Sequence, residues 1–514
     1  MTRSAGVFGS VTMLSRVLGL LRDVLSAGLF GTTQVWDAFV TAFTIPNMFR
    51  MMLGEGALSG AFVPIFTRYL HSSSEQQAWS FANKIISLLS VVLIGIIVIG
   101  WGILAVMYHM ALPERIHLIV LLSIILLPYL FFICNVGLLM GILNTFHHFF
   151  IGAFCPVILN ATLIFLMILY IPFSHLTELQ KIYILSVGVV LGGALQFFSH
   201  WIVASKKGLR FTFSIDIHDK GVAKVWRLML PAVMALSVTQ INLVVDRVLA
   251  LFIGEGAASA LYYSNRIIQL PIGVFGVALA TTSFPLMAHY SAVNDMPLFK
   301  KTISHVIQLM LFISLPATCG LLVLSYPLIR MIFEHSQFDA DSTSKTAFAL
   351  IFYSIGLCSY CCNKVIIRGF YSLQDTRTPV RVGVITLIIN VVFNVVLMYP
   401  LKQGGLALST SIASFVGTAL LVFGMNKKIG VFYNTDFWIS IRRILFASFI
   451  MMAAVYVSYR YLYLVLSATL WNNILILGIP LCIGITVYMA LMYFLKSQEL
   501  FDILELIGIH RSVN

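Results

Sequence analysis

The sequence predicts an all-α protein that crosses a membrane many times, and two observations carry this prediction. Its 514 residues are 60% hydrophobic and only 10% charged, with a mean hydropathy of +0.97, a composition typical of integral membrane proteins. Long stretches also lack charge: residues 85–110 contain no Asp, Glu, Lys or Arg. Because a spanning helix needs roughly 20 apolar residues, such a stretch is long enough to cross a bilayer.

Apolar stretches between polar breaks predict about fourteen membrane-spanning helices. Residues 117–180 hold only one charged residue, Glu178, and are long enough for two spans divided by a polar turn at 144–148. The second and eighth segments are long and contain Gly and Pro, which predicts bends within them. In chain order the helices are predicted near 7–31, 35–68, 84–109, 117–144, 150–172, 181–204, 225–253, 258–288, 302–326, 343–371, 379–399, 405–426, 438–462 and 471–495.

The distribution of Lys and Arg between the loops predicts the orientation. With both termini in the cytoplasm, the cytoplasmic loops carry fourteen Lys and Arg residues and the opposite loops about five, as the positive-inside rule requires. The same bias accounts for most of the net charge of +13. Since no basic patch interleaved with aromatic residues is found, nucleic acid is not an expected partner.

An internal repeat predicts two similar halves. Four landmarks recur at a nearly constant offset: Asp23 and Gly31 match Asp246 and Gly254 at 223 residues, Pro46 matches Pro271 at 225, and Pro64 matches Pro285 at 221. The repeat begins at the first and seventh predicted helices, so two parallel, pseudo-symmetric six-helix lobes are expected around a central cavity, as in alternating-access transporters. The predicted organisation is an N-lobe over 1–204, a basic cytoplasmic linker over 205–224, a C-lobe over 225–428, and two extra helices with a tail over 429–514.

Four arginines lie inside predicted spans: Arg16, Arg22, Arg50 and Arg266. A charge at bilayer depth costs about 2.5 kcal/mol or more and therefore usually faces a protein interior or an aqueous cavity. All four have the same sign, which predicts a cationic cavity for an anionic cargo, and a guanidinium group suits phosphate oxygens. The alternative is that each arginine reaches the membrane interface or forms a structural pair.

Three acids of the first lobe, Asp23, Asp37 and Glu55, are expected to offset the repulsion between these cations. Asp23 follows Arg22 directly and lies seven residues from Arg16, so it is expected to orient the guanidinium groups when the cavity is empty.

A second group of polar residues is a candidate cation site. Asn390 and Asn394 are four residues apart and share a helix face, and with the Asp246 carboxylate their amide oxygens would suit Na⁺, because hard cations take oxygen ligands. A polar contact between helices is the alternative. Lys364 and Arg368 are also four residues apart, and we expect them to anchor the cytoplasmic end of their helix rather than to bind a ligand.

Other motifs give no indication of catalysis or of metal binding. The seven cysteines fall in or near predicted spans, where small buried apolar residues are the better account of them, and the twelve histidines contain no HxxxH spacing. A Walker A loop and a GxSxG motif are also missing from the sequence. We therefore expect a transporter and not an enzyme.

Several sequence blocks resemble one family. SRVLGLLRDVLSAGLFG, DAFVTAFTIPNMFRMMLGEGALSGAFVPIF, SALYYSNRIIQLPIGVFGVALATTSFPLM and RGFYSLQDTRTPV closely resemble the MurJ/MviN lipid II flippases of the MOP exporter superfamily, and the resemblance extends along the whole chain. It implies two six-helix lobes around a V-shaped cavity, with two further helices that line a groove for the lipid tail. It also implies export of undecaprenyl-pyrophosphate-linked peptidoglycan precursor from the inner to the outer leaflet of the bacterial cytoplasmic membrane.

The resemblance also implies roles for individual residues. The four arginines correspond to the family's cavity arginines, and Asp23, Asp37 and Glu55 to its functional acids. Ser259 aligns with a further cavity position, Asn47 precedes the turn that carries Arg50 and is expected to support the cavity, and Thr410 would join the Na⁺ ligands. Where some relatives carry Glu after the arginine of the eighth helix, this chain has Gln269, which leaves the cavity more positive.

The expected ligand is lipid II, with membrane lipids and envelope or division proteins as further partners. No cofactor is expected, and Na⁺ or the membrane potential would supply the driving force. Two alternatives stay open: a flippase for another polyprenyl-pyrophosphate-linked oligosaccharide, and a scaffold of the envelope machinery that transports nothing.

Overall fold

The computed structural model of the chain describes residues 2–72, 74–171, 175–466 and 470–506, and every regular element among them is a helix. Three π-helical segments, Arg50–Ala57, Leu166–Tyr170 and Ile272–Gly276, interrupt the α-helices. The α-helices are α1 (Thr2–Phe30), α2 (Gln34–Phe49), α3 (Leu58–Ser72), α4 (Glu75–His109), α5 (Glu114–Leu126), α6 (Tyr129–Thr145), α7 (Phe149–Phe165), α8 (Glu178–Lys206), α9 (Lys220–Ile253), α10 (Ala257–Pro271), α11 (Val277–Ala292), α12 (Met296–Phe333), α13 (Ala340–Ile355), α14 (Leu357–Ser372), α15 (Arg377–Ile429), α16 (Thr435–Val465), α17 (Leu470–Phe494) and α18 (Gln498–Leu506).

The helices are long and apolar enough to cross a membrane many times. Among the described residues nine helices meet this condition, or eleven if each of two pairs bent by 43° and 45°, α5–α6 and α13–α14, forms one span. The segments that carry Arg16, Arg22 and Arg50 are not among them. Large apolar side chains also lie exposed on the helix surfaces, as lipid contact requires. The all-α membrane fold is confirmed, whereas the count of fourteen stays a prediction.

The segment α15 consists of two helices that are joined by a tight turn. Lys402 has φ 48° and ψ −132°, which is not helical, and an ideal Cβ on Gly405 would lie 2.1 Å from the Leu397 carbonyl oxygen. Asn390 Nδ2 also donates to Thr410 Oγ1 over 3.2 Å. Residues twenty apart in a straight helix would be separated by about 30 Å, so the chain reverses direction here. The separate helices predicted at 379–399 and 405–426 are therefore present.

Changes of helix winding occur at matching positions of the repeat, in the two segments for which bends were predicted. The π-helical segment Arg50–Ala57 follows Pro46, and Ile272–Gly276 follows Pro271. Proline removes a backbone N–H and disturbs the preceding turn, so a local change in helix winding is expected there. Gly31 and Gly254, also matched in the repeat, follow the ends of α1 and α9 with φ of +56° and +142°, a conformation that glycine adopts without strain.

The chain forms two compact units, Met1–Val248 with His335–Phe338, and Leu249–Glu334 with Asp339–Asn514. The lobe and linker boundaries predicted from the sequence stay predictions. In the first unit α1 packs on α7, α6 and α7 pack on α8, and α2 packs on α5. The close approach of α8 depends on small residues, since ideal Cβ atoms on Gly192 and Gly193 would lie 2.7 Å from Leu159 Cδ1 and 2.5 Å from Tyr129 Cδ2.

The loop between α8 and α9 is fastened to α4. Lys84 Nζ lies 2.9 Å from Asp216 Oδ2 and 2.8 Å from Asp219 Oδ2. Asp219 Oδ1 also accepts hydrogen bonds from the backbone N–H groups of Gly221 and Val222, in the first turn of α9. The ion pair with Lys84 lowers the pKa of Asp216. Burial raises the pKa of Asp219, but its hydrogen bonds to Lys84 and to the backbone lower it more.

In the second unit, α12 is the central helix. It packs on α11, α13, α14 and α16, and α16 packs on α17. The shared core includes Phe312 and Leu324 of α12, Ile444 of α16 and Met492 of α17. The two helices that were predicted to follow the C-lobe are thus attached to α12 by apolar packing.

Candidate anion-binding site

Two polar neighbours hold Arg22 in place. Its Nη2 lies 2.6 Å from Asp23 Oδ1, its Nε donates to the same oxygen over 3.1 Å, and its Nη1 donates to Asn160 Oδ1 over 3.1 Å. Asp23 is fully buried, and the Arg22 side chain is 14% exposed. The packing of α1 on α7 brings Asn160 to this position, where its Nδ2 also donates to the Ser15 carbonyl oxygen. The guanidinium plane is therefore fixed before any ligand binds.

Arg16 lies less than two turns before Arg22 on α1. Its side chain is exposed, and no ion pair joins it to a carboxylate in the part of the chain that the structure describes. Asp23, seven residues from Arg16, instead pairs with its neighbour Arg22 and is fully buried there. Arg16 is available to an anion that approaches α1.

Arg50 begins the π-helical segment that follows α2. The side chain is half-buried, and its Nε donates to Asn47 Oδ1 over 3.0 Å. Asn47 therefore orients Arg50, and its supporting role in a cavity stays a prediction. Glu55 belongs to the same π-helical segment, but its side chain lies outside the described part of the structure, so its predicted role remains a prediction.

Asp37 pairs with an arginine outside the predicted cationic set. Its Oδ2 accepts from Arg115 Nη2 over 2.7 Å, and the side chains are 0% and 16% exposed. Arg115 belongs to the first turn of α5, which packs on α2. Asp37 thus offsets the charge of Arg115.

Arg266 is the arginine of the second unit. It is half-buried, and its guanidinium carbon lies 5.8 Å from the centre of the Tyr262 ring, a cation–π distance. Ser259 lies seven residues earlier on α10 and is fully buried. Gln269 is exposed and donates from Nε2 to Asn265 Oδ1 over 2.6 Å, so a neutral amide occupies the position one turn after Arg266.

The candidate cation site contains a hydrogen-bonded amide pair. Asn394 Nδ2 donates to Asn390 Oδ1 over 2.7 Å, and Asn390 Nδ2 donates to Thr410 Oγ1. In this arrangement the two amide oxygens do not share one partner, which agrees with the alternative of a polar contact between helices. Asp246 is buried in the other unit, with 6% exposure. Within the described residues no group of three His, Cys, Asp or Glu side chains could hold a metal ion. Na⁺ coupling stays a prediction.

Sequence reasoning missed Asn160 and the partner of Arg115. Asn160 is a polar residue in the otherwise apolar stretch FCPVILNATLIFLM. A lone amide inside a spanning helix could have been recognised as a candidate, because its hydrogen-bonding groups require partners at membrane depth. Arg115 gave no comparable signal.

The described residues thus form a helical membrane protein whose Arg22 and Arg50 are held by polar neighbours. Its fold is that of multi-span membrane transporters. An inward-facing multidrug resistance MATE family transporter of the MOP superfamily matches with a TM-score of 0.69 over 84% of this chain and 99% of that chain, at 14% identity.

Similarity to known proteins identifies the family of this chain. Residues 26–498 match the family described as lipid II flippase MurJ. A probable lipid II flippase MurJ of Vibrio cholerae is 35% identical over 84% of each chain, and one of Rickettsia prowazekii is 31% identical over 96% of this chain and 97% of the relative. The solved structure of a lipid II flippase MurJ in an inward closed conformation matches with a TM-score of 0.80 at 28% identity, over 95% of this chain and 98% of that chain. The chain belongs to the lipid II flippase MurJ family.

Proposed function

We propose that this protein translocates lipid II from the cytoplasmic to the outer leaflet of the bacterial cytoplasmic membrane by alternating access. The observation that carries the proposal is the preorganised Arg22, whose guanidinium is fixed by Asp23 and Asn160 within a membrane protein of this family. A cation oriented in advance loses little side-chain entropy when a pyrophosphate binds. The protein needs no catalytic step for this reaction, since no covalent bond of the cargo changes.

The head group would be bound by Arg22 and Arg50 of the first unit and by Arg266 of the second. Each arginine can donate charge-assisted hydrogen bonds to phosphate oxygens, worth about 1.5–3 kcal/mol apiece. Arg16, exposed on the same helix as Arg22, would add to the positive field. The polyprenyl tail would stay in lipid throughout the transport cycle.

The driving force is proposed to be the membrane potential. Moving one elementary charge through 100 mV is worth about 2.3 kcal/mol, which is enough to bias the return of a cationic, empty transporter. An additional Na⁺ site would require oxygen atoms of Asp246, Asn390 and Asn394 to bind one ion. If Asp246→Asn left transport and its sodium dependence unchanged, the ion site would be rejected.

Complementation of a flippase-depleted bacterium tests the proposal, with lipid II accessible at the outer leaflet scored in the same cells. We expect the wild type to restore growth and export, Arg22→Ala and Arg266→Ala to restore neither, and the matching Arg→Lys changes to be partly tolerated. Lys427→Ala is the control, because Lys427 is an exposed cation at the end of α15. Normal export by both alanine variants would contradict the proposed role of the arginines.

The same cells distinguish the remaining functions. A wild type that reaches the membrane but does not restore lipid II export would favour another polyprenyl-pyrophosphate-linked cargo. An envelope scaffold would restore growth without moving lipid II in reconstituted vesicles. Association with division proteins would be a further property of the flippase and is tested by co-purification.

A further inference from the structure

Helix α14 carries two cations on one face. Lys364 and Arg368 are one helical turn apart, so they point in the same direction, and both side chains are exposed. The helix ends at Ser372, which places Lys364 about 12 Å from that end at 1.5 Å per residue. This distance exceeds the length of a lysine side chain, so the Lys364 ammonium group does not reach the end of its own helix.

Neither cation is neutralised by a carboxylate of the described residues. No ion pair joins Lys364 or Arg368 to a carboxylate among the residues that the structure describes. The nearest acid along the chain, Asp375, is held by Lys428 at 2.7 Å and by the first backbone N–H groups of α15. Like charges one turn apart repel each other in a helix, and each costs additional free energy at membrane depth. An external anion would remove both costs.

The direction of Arg368 argues against a simple membrane anchor. Its guanidinium carbon lies 5.5 Å from the centre of the Phe284 ring on α11, so the side chain extends across to the neighbouring helix of its own unit. An arginine that reached for lipid head groups would extend along α14 towards the interface. The aromatic ring instead holds the guanidinium over the surface of α11.

Lys364 and Arg368 on α14 lie far from Arg266, as measured along α10 and α11. An ideal Cβ on Gly276 would lie 3.3 Å from Cys361 Sγ, and Arg368 lies over Phe284, so α14 runs alongside α11. Arg266 precedes Phe284 by eighteen residues, which corresponds to about 27 Å along a helix axis, and Lys364 is one turn closer. A pyrophosphate at Arg266 cannot reach either cation, because it spans only a few ångströms.

We propose that Lys364 and Arg368 form a second anion-binding subsite that takes the carboxylates of the cargo's stem peptide. The inference rests on the proposed function. Five extended residues span about 17 Å, and the sugar that links the peptide to the pyrophosphate supplies the remaining distance. Ammonium and guanidinium groups both form charge-assisted hydrogen bonds with carboxylates. The subsite thus recognises the peptide, and the arginines recognise the pyrophosphate.

Binding measurements on the purified full-length protein in nanodiscs test this assignment with three ligands. They are lipid II, lipid II with its stem-peptide carboxylates amidated, and undecaprenyl pyrophosphate. We expect the wild type to bind native lipid II about tenfold more tightly than the amidated form, the value of one charge-assisted contact. Lys364→Gln combined with Arg368→Gln should abolish that preference and leave undecaprenyl pyrophosphate binding unchanged. Lys364→Arg should keep the preference, and Lys427→Gln, an exposed cytoplasmic cation, should behave as the wild type.

The outcomes separate this subsite from the proposed function itself. Arg266→Ala should weaken the binding of all three ligands. A wild type that binds lipid II without preferring the native carboxylates, or a double variant that keeps the preference, would overturn the subsite and leave the flippase intact. A wild type that binds no lipid II would overturn both. A double variant that also fails to bind undecaprenyl pyrophosphate would show that the two cations only support the structure of the helix, which would overturn the subsite.

Discussion

Replacing Asp37 by Asn should destabilise the first unit strongly, because it leaves the positive charge of Arg115 without its carboxylate. The two side chains are 0% and 16% exposed and lie 2.7 Å apart, so water screens their interaction little. Removing one partner of a buried pair costs about 3–5 kcal/mol, since the remaining charge is left uncompensated. Asn keeps the shape of Asp, so packing changes little.

The size of the effect follows from the size of the unit. The first unit contains about 250 residues, and an unfolding entropy of roughly 2.1 cal/mol/K per residue gives about 0.5 kcal/mol/K. A loss of about 3 kcal/mol should then lower the Tm of this unit by about 6 °C. Combining Asp37→Asn with Arg115→Gln removes both charges and should recover most of the loss.

Thermal unfolding of the purified variants in detergent measures these shifts, with ligand-free protein in each case. Asp341→Asn serves as the control, because the Lys345–Asp341 pair is 33% and 66% exposed and such surface pairs are worth about 1 kcal/mol or less. Equal Tm values for Asp37→Asn and the control would refute the structural role of the pair. A double variant no more stable than the single one would refute the coupling between its charges.

Three further predictions concern the loops. Lys84→Gln should release the loop after α8 and raise the hydrogen exchange of its backbone amides. Because the pKa values of Asp216 and Asp219 are lowered, the wild-type contact is complete at neutral pH and is lost as the pH falls below about 3.8. Hydrogen exchange that neither the substitution nor acid alters would contradict this. Gly31→Ala should cost about 1–2 kcal/mol, because the residue has φ +56° and an added Cβ would lie 2.3 Å from a carbonyl oxygen; an unchanged Tm would argue against it. Asp375→Ala should lower the Tm by a few degrees, since the Asp375 carboxylate accepts hydrogen bonds from the first backbone N–H groups of α15 at 3.0 Å. If Lys428→Ala lowered the Tm by as much, the whole effect would belong to the Lys428–Asp375 ion pair.

Much of the fold was predictable because spanning helices are local features. A helix at 75–109 or 296–333 follows from its own apolar residues and needs no knowledge of the rest of the chain. Irregular helices near residues 50 and 272 were predictable from Pro46 and Pro271 in the same way, and π-helical segments occur there. The hairpin within α15 was also predicted, since polar and Gly-rich residues interrupt its apolar pattern at 400–405.

The predicted site stays a prediction, although the structure shows local contacts of several of its residues. Arg22 with Asp23 and Arg50 with Asn47 are neighbours in sequence, and the structure pairs them. Asn160 was missed because it is 138 residues from Arg22, and only the packing of α1 on α7 brings the two together.

The sequence by itself determined the class of protein, the approximate positions of its helices, and the residues whose charges need an explanation. Those conclusions depend on hydropathy and on the cost of a charge at membrane depth, both of which are properties of single segments. The tertiary structure decided which charge meets which partner: Asp37 meets Arg115, and Asn390 meets Asn394 and Thr410. Apolar helices in a membrane resemble one another on their surfaces, so their sequences do not specify which pairs will pack. A polar contact between distant helices therefore becomes visible only once the helices have been placed.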